Sequence, residues 1–451
     1  MATAMPSIVE RLGGLALYPW VYSAYLLTQT VTIPLYGRLA DLVGRRVTYA
    51  SGIGIFLAGS LACGFAPSME WLVAARGLQG LGAGAVLPLT MTIFGDLYDV
   101  SLRTKLQGLF SLIWGTSSVV GPLAGGLIVL NWSWPWVFWL NLPFGLASAT
   151  VVCLLLREPG HHQRHRLDVA GAVLLSAATM ALLFALLPAA QRPLGWSAGI
   201  WLVLAGVAAV ALIVQERRHP EPLIPLDLFR DRVHLTANGA GVLLGVVLFG
   251  VVGYVPLFVQ AVRGGGPIAA GMALIPLSLS WTVSTFVSGR LVRPIGFQAL
   301  VRGGSALIGL GALLGWLGVS RDWPAAALIG EMLYGFGMGA CISSFTVSVQ
   351  ECVPPHRKGI ATALTQFARS IGGAVGVAVL GAVLTAQVGD DLQGADLAAL
   401  GDKPREALGA ALRLVFGLMA LSAAAAAAVG ILLFPRIETG MDRPDRSGDP
   451  T

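Results

Sequence analysis

The sequence predicts an all-α polytopic membrane protein, one whose helices cross a bilayer many times. Of its 451 residues, 55% are hydrophobic and only 12% are charged, and the mean hydropathy is +0.76. A soluble globular domain carries about 25% charged residues, so this composition does not suit a compact body dissolved in water. The apolar residues form long runs instead of short alternating ones, which favours helices over a membrane β-barrel.

Thirteen apolar runs are long enough to be complete spanning helices, since a span needs about 20 residues at a rise of 1.5 Å each. Residues 1–9 are apolar but too short to span, and we interpret them as a remnant of helix 1. The thirteen spans lie at about 18–37, 47–66, 71–95, 106–130, 135–156, 169–189, 198–215, 236–260, 268–288, 299–319, 324–349, 359–387 and 408–434.

The basic residues indicate how the spans are oriented. Alternating the spans places 20 of the 29 Lys and Arg residues on one side and 6 on the other, with the remaining three inside spans. The richer side is the cytoplasmic one, because short cytoplasmic loops are enriched in Lys and Arg. The C-terminus then lies in the cytoplasm. If both ends of the chain lie inside, the number of helices must be even, and this requires a complete helix 1. We therefore expect the natural start to lie upstream of Met1.

Two polar loops and an internal repeat divide the chain. Between the loops at 157–166 and 216–234 lie two almost featureless Ala/Leu/Val spans, which we interpret as an insertion between two six-helix halves. The segment Gly289 to Gly296 repeats the pattern of Gly37 to Gly44, with Arg293 in place of the acid, and repeated halves are known in transporters. We predict an N-terminal half at 1–156, inserted loops and helices at 157–234, a C-terminal half at 235–434 and a cytoplasmic tail at 435–451.

The stretch from Gly37 to Arg46 carries four charges between two apolar runs. We predict a tight polar turn here, with glycines at both ends that let the backbone turn closely. An acid at the cytoplasmic end of span 71–95 is a candidate partner for the arginines of this turn. The candidate residues of this cytoplasmic site are Gly37, Asp41, Gly44, Arg45, Arg46 and Asp96.

Three charged residues inside spans are candidates for coupling or substrate binding, because charge inside a membrane is costly and usually functional. Arg76 either faces a cavity, where it binds substrate or shifts the pKa of a coupling carboxylate, or reaches the outer surface along its apolar stem. Glu331 is the acid most clearly inside a span, where it can hold and release a proton, unless it reaches outer water. Arg369 lies midway along its span and needs a partner or a wet cavity.

The span 106–130 predicts a bent helix with a smooth face. Its proline removes one helix hydrogen bond, and the glycines around it supply no side-chain bulk to brace the kink. A bent, smooth helix suits a protein whose two halves move against each other. The residues concerned are Gly115, Gly121, Pro122, Gly125 and Gly126.

Several other function classes are disfavoured. The basic residues are spread over short loops, as expected from membrane orientation and not from nucleic-acid binding. His161, His162 and His165 lie in a basic loop without acidic or Cys partners, so we predict no metal site. The sequence has no phosphate-binding Gly-x-x-x-x-Gly-Lys-Ser/Thr segment. Clustered His or acidic residues, which a membrane-embedded enzyme would need, are missing from the spans.

These motifs, in this order, resemble the major facilitator superfamily, specifically its fourteen-helix drug–proton antiporter (multidrug efflux) branch. Two extra central helices are typical of that branch. The family usually has an Asp in helix 1 before a stretch ending in Ala-x-Pro, whereas here only Ala4-Met5-Pro6 is present. The matching segments are Gly37-x-x-x-Asp41-x-x-Gly44-Arg45-Arg46, Arg76 with Gln79-Gly80, Gly115 through Gly121-Pro122 to Gly125-Gly126, and Trp136 to Gly145.

The resemblance implies a multi-pass transporter of the cell (inner or plasma) membrane, not an enzyme. It would export small amphipathic compounds such as drugs or antibiotics in exchange for protons, by alternating access. It would work as a monomer in the lipid bilayer, without a cofactor and without nucleic acid, driven by the proton gradient. Asp41 and its arginines would form a cytoplasmic latch that favours the outward-open state, Pro122 would bend its helix, and Arg76 would tune a protonatable site.

Two alternatives remain open at this point. One is a transporter of a specific metabolite with the same fold, although the motif around Pro122 counts against import. The other, from a different class, is a non-transporting membrane sensor or assembly partner. The sequence contains no appended signalling domain that would favour the second alternative.

Overall fold

The structure is a computed structural model of the chain. It describes residues 8, 11–12, 18–98, 131–156, 168–186, 195–219, 222, 224–265, 267–354, 357–388 and 402–436, together with separate positions between 102 and 128. No β-strand occurs among these residues, and nine helices within them are long and apolar enough to cross a bilayer. The predicted all-α membrane class is thereby confirmed. Of the predicted remnant of helix 1, residues 1–9, only Ile8 is described, and it is helical.

The chain forms two compact units. The first comprises Met1–Ile93, Thr116–Leu228 and His356–Ala386, and the second comprises Phe94–Gly115, Phe229–Pro355 and Gln387–Thr451. The domain limits drawn from the sequence at 156, 234 and 434 stay predictions.

The first unit is built mainly from eight helices of the described residues. They are α1 (Tyr18–Val43), α2 (Arg45–Gly64), α3 (Met69–Leu97), α4 (Trp136–Trp139), α5 (Asn141–Leu155), α6 (Val169–Leu186), α7 (Ala198–Arg218) and α12 (Lys358–Val388). Only the ends of α3 and α12 belong to the second unit.

The second unit contains the remaining helices of the described residues. A 3₁₀ segment (Leu226–Arg230) leads into them, and a π-helical turn (Phe258–Val262) extends the first of them. They are α8 (Arg232–Leu257), α9 (Pro267–Met272), α10 (Ile275–Ser320), α11 (Pro324–Glu351) and α13 (Asp402–Leu433).

The predicted polar turn from Gly37 to Arg46 is wrong in its extent. Helix α1 continues through the polar residues to Val43 and α2 begins at Arg45, so that only Gly44 lies outside a helix. Gly44 has φ 102° and ψ 155°, a conformation open to glycine and costly for other residues. The helix continues through the charged residues, because a helix satisfies its own backbone hydrogen bonds both inside the membrane and where it leaves the membrane.

The second copy of the repeat breaks its helix in the same way. The predicted spans 268–288 and 299–319 lie mostly in α10, which consists of two helices that meet at a kink at Gly296, where φ is 76° and ψ is 169°. Gly296 is the counterpart of Gly44 in the repeat. The shared pattern therefore encodes a helix break at its last glycine, not a loop along its whole length.

Helices α1, α2 and α3 approach one another closely at glycines, as expected in a bilayer where helix contact relies on close packing. A Cβ on Gly80 would overlap Thr28 and the carbonyl of Tyr25, and a Cβ on Gly82 would overlap Phe56. The side chain of Thr28 donates a hydrogen bond of 2.8 Å to the carbonyl of Gly77. These contacts fix α3, which carries Arg76, against its two neighbours.

Replacement of Gly44 by Ala tests the helix break. We expect Gly44→Ala to lower the free energy of unfolding by about 1–3 kcal/mol, the usual cost of a strained backbone conformation, and to lower the midpoint of thermal unfolding of the purified protein. The matched control is Gly303→Ala, because Gly303 is helical, exposed and has no atom within 4 Å of an added Cβ. Equal midpoints for the two variants would contradict this interpretation of Gly44.

Candidate functional site

Asp41 binds the N-terminus of α12. Its Oδ1 accepts a hydrogen bond of 3.1 Å from the backbone N–H of Gly359, and its Oδ2 accepts one of 2.9 Å from that of Ile360. The Nη2 atom of Arg45 lies 3.0 Å from Oδ1, and only 1% of the Asp41 side chain is exposed. The carboxylate thus occupies a helix N-terminus, where free N–H groups and the helix dipole favour negative charge.

Two glycines make this contact possible. A Cβ on Gly37 would overlap the side chain of Ala363, and a Cβ on Gly359 would overlap the carboxylate of Asp41 and the carbonyl of Gly37. Gly37 therefore serves close helix contact inside α1 and not the start of a turn. This explains why the motif combines a glycine with an acid four residues later, one helical turn along the same face.

The other predicted members of the cytoplasmic site have different surroundings. Arg45 donates a second hydrogen bond of 2.9 Å, from Nη1 to the carbonyl of Ala40, and thereby braces the end of α1. The hydroxyl of Thr48 donates a hydrogen bond of 2.7 Å to the carbonyl of Gly44. Arg46 is exposed. Asp96 is exposed near the C-terminal end of α3, and its pairing with the arginines stays a prediction.

Arg76 is buried inside the first unit, with 8% of the residue exposed. Its Nε donates a hydrogen bond of 3.0 Å to the carbonyl of Val21, and its Nη1 donates one to Oε1 of Gln79. The guanidinium carbon lies 4.0 Å from the centre of the Tyr25 ring, within the range of a cation–π contact. The alternative that Arg76 reaches the outer surface is therefore wrong.

The network around Arg76 continues through a serine. The Nε2 of Gln79 donates a hydrogen bond of 2.5 Å to the hydroxyl of Ser60, and the Nδ2 of Asn141 donates one of 3.4 Å to the same oxygen. Four helices, α1, α2, α3 and α5, are thereby joined by polar side chains. Sequence reasoning missed Ser60 and Tyr25, although polar residues in apolar spans were a signal for them.

The remaining charged candidates lie apart from this network. Arg369 on α12, in the first unit, donates a hydrogen bond from Nη2 to Oε1 of Gln366, three residues earlier. Glu331 on α11 lines a cavity of about 360 Å³ in the second unit, mostly apolar and shared with Tyr334. Glu331 is partly exposed.

The predicted bent helix is only partly described. Gly121 is helical and exposed, whereas Gly115, Pro122, Gly125 and Gly126 lie outside the described residues. The described part of the chain also contains no group of three His, Cys, Asp or Glu side chains able to hold a metal ion.

Comparisons with known proteins identify relatives over most of the chain. The family model described as Major Facilitator Superfamily matches residues 1–377. The chain is 35% identical to multidrug transporter protein MdtP of Bacillus subtilis, over 86% of this chain and 72% of that protein. It is 33% identical to multidrug resistance protein 3 of the same organism, over 85% and 76% of the two chains.

A solved structure agrees with the fold. The proton:xylose symporter XylE superposes with a TM-score of 0.63, covering 93% of this chain and 86% of the XylE chain, at 14% sequence identity. At this identity the likeness concerns the fold alone.

Replacement of Ser60 tests the network around Arg76. Ser60→Ala removes the acceptor shared by Gln79 and Asn141, and leaving a buried donor without a partner costs about 1–3 kcal/mol. We expect a lower midpoint of thermal unfolding for the purified protein. The control is Ser51→Ala on the same helix, since Ser51 is exposed and, within the described part of the chain, its hydroxyl bonds only to the carbonyl of Thr48. The interpretation fails if the two variants are equally stable.

Proposed function

This chain belongs to the major facilitator superfamily of membrane transporters, and on that premise we propose that it exports small amphipathic compounds, such as drugs or antibiotics, in exchange for protons. The observation that carries the proposal is the similarity, over most of the chain, to relatives whose names refer to multidrug transport and resistance. In this proposal the protein lies in the plasma membrane with its C-terminus in the cytoplasm, works as a monomer and needs no cofactor.

The contact between Asp41 and α12 supports a gating role for the first motif. Breaking this contact would expose the Asp41 carboxylate and the first amides of α12 at the same time. The contact can therefore have two discrete states, made and broken. Alternating access requires such elements, whose equilibrium each bound ligand can shift. In our proposal the contact between Asp41 and α12 is the cytoplasmic latch, which opens and closes once in each transport cycle.

Glu331 is our candidate for proton coupling. A carboxylate in an apolar cavity can lose its charge by taking up a proton, so that its occupancy by protons follows the gradient. The membrane potential supplies about 2.3 kcal/mol per charge for each 100 mV. One proton per cycle can therefore drive a modest accumulation of substrate. Arg76 and Arg369 are further candidates for contacting substrate or for tuning a protonatable site.

Transport in everted membrane vesicles tests the proposal. Vesicles are acidified inside by respiration, and addition of an exported compound should release protons and partly reverse the acidification. We expect Glu331→Gln to reduce this release at least tenfold at equal protein amounts, because glutamine cannot carry a proton in exchange. Glu406→Gln is the control, since Glu406 is an exposed acid on α13 that does not line the cavity.

Substrates are found by a resistance screen of an overexpressing strain across dyes and antibiotics. Several unrelated protected compounds would agree with export of many substrates, whereas a single one would favour the specific metabolite transporter. If no compound found in the screen releases protons from vesicles of the unmodified protein, antiport is refuted.

A further inference from the structure

Helices α6 and α7, the pair predicted to be an insertion and called the inserted pair below, lie against both α1 and α12. Ala172 and Leu175 of α6 and Leu212 of α7 form a buried apolar cluster inside the first unit. Leu35 of α1 and Phe367 of α12 pack against this cluster. One apolar surface of the inserted pair therefore touches both helices of the contact that Asp41 makes.

These apolar contacts lie close to the point where α1 and α12 meet. Leu35 is two residues before Gly37, whose added Cβ would overlap Ala363 of α12. Phe367 follows Ala363 by four residues, which is about one helical turn. Because the same cluster touches both helices, a movement that separates α1 from α12 must also break the contact of one of them with the inserted pair.

Polar groups hold the two inserted helices to each other at the start of α6. The Oδ1 atom of Asp168 accepts a hydrogen bond of 2.8 Å from the backbone N–H of Gly171 and one of 2.9 Å from Nε2 of Gln215 on α7. Asp168 is only 2% exposed. Its carboxylate thus caps α6 and bonds to α7 at the same time, and hydrogen bonds to a charged group are the strong ones.

A second polar link joins the residues after α7 to the start of α12. Glu216, near the end of α7, accepts a hydrogen bond of 3.0 Å at Oε2 from the backbone N–H of Ile224, which also packs against the apolar cluster. Asp227 follows, and its Oδ2 lies 2.6 Å from Nη1 of Arg357. Arg357 is two residues before Gly359, whose amide takes part in the Asp41 contact. The inserted pair is thereby tied to the end of α12 that Asp41 binds.

The position of this ion pair gives it an effect beyond that of an ordinary surface pair. Exposed ion pairs usually contribute little, and the Asp227 and Arg357 side chains are 56% and 39% exposed. However, the N-terminus of a helix carries about half a positive charge, so that Arg357 is a cation in an unfavourable place and Asp227 offsets it. In a bilayer, apolar contact alone does not distinguish a protein surface from lipid. Polar links therefore decide which surface the inserted pair occupies.

From these contacts we infer that the inserted pair is a brace on the contact between α1 and α12. It holds the two helices together where Asp41 joins them, and it releases one of them when that contact opens. The inference assigns a role to two helices that the proposed function leaves without one. That the braced contact is the cytoplasmic latch rests on the proposed function, whereas the brace itself does not.

Amide hydrogen exchange of the purified full chain in lipid nanodiscs measures the brace at the start of α12. Asp227→Lys places a second cation beside Arg357, and we expect exchange in the peptide covering 358–362 to become at least threefold faster. Combining Asp227→Lys with Arg357→Asp restores an ion pair and should return exchange to within twofold of the unmodified protein. The matched control Asp322→Lys reverses the exposed pair with Arg263 and should leave this peptide unchanged.

A second variant tests the brace from a residue that belongs to neither α1 nor α12. Leu175 is 5% exposed within the apolar cluster, whereas Val173 on the same helix is 61% exposed. We expect Leu175→Ala to accelerate exchange in the 358–362 peptide at least threefold and Val173→Ala to leave it unchanged. The thermal unfolding midpoint shows whether the variant is folded, and Leu212→Ala takes its place if it is not.

The inference stands only if the folded cluster variant accelerates exchange of the 358–362 peptide. Unchanged exchange in that variant would overturn it, and acceleration in Asp227→Lys alone would mean a local charge effect at the start of α12 instead of a brace. Equal acceleration of a peptide within α11 would also overturn it, because the inserted pair would then stabilise the whole fold and not this contact.

These results are separable from transport, since exchange is measured without a substrate or a proton gradient. If the cluster variant accelerates exchange but no compound releases protons from vesicles, the proposed antiport fails and the brace stands. If proton-coupled export is found while exchange is unchanged in the cluster variant, the brace fails and the proposed function stands.

Discussion

The carboxylate of Asp41 accepts hydrogen bonds at the N-terminus of α12, from two residues that follow Asp41 by 318 and 319 positions in the sequence. Burying a carboxylate is costly unless its oxygens are bonded, and here two backbone N–H groups and Arg45 meet that requirement. Hydrogen bonds to a charged group contribute about 1.5–3 kcal/mol each. These groups come within bonding distance only because α1 and α12 pass close to each other. Glycines at the contact make the close approach possible, since each faces a neighbouring backbone or methyl group.

The two units use polar residues in opposite ways. In the first, Arg76, Gln79, Ser60 and Asn141 bond to one another, and such a satisfied network rigidifies the helices that carry it. In the second, Glu331 faces an apolar cavity without a cationic partner among the described residues. A satisfied network suits a fixed scaffold, whereas an acid left without a cation suits exchange of protons or ligands. This contrast supports our proposal that Glu331, and not the network around Arg76, exchanges protons.

Much of this arrangement could be predicted from the sequence. Composition and apolar run length predicted the class. The repeat from Gly289 to Gly296 predicted a second polar turn, and the structure has a helix break at Gly296 there. Asp41 and Arg76 were named as candidates from the motifs, and their functional roles stay predictions. The predicted extent of the turn at Gly37 was wrong, because the charge pattern alone cannot distinguish a loop from a helix that leaves the membrane. The partners of Asp41 could not be predicted, because a local sequence pattern carries no information about backbone amides more than 300 residues away.

Amide hydrogen exchange at the start of α12 measures whether Asp41 holds the first amides of that helix. The first amides of a helix have no partner within the helix, so Asp41 is the group that holds those of Gly359 and Ile360. We expect Asp41→Asn to accelerate exchange in the peptide covering 358–362 at least tenfold and to leave a peptide within α11 unchanged. The control Asp322→Asn should change neither peptide. Equal exchange of the 358–362 peptide in Asp41→Asn and in the unmodified protein would mean that Asp41 does not hold these amides.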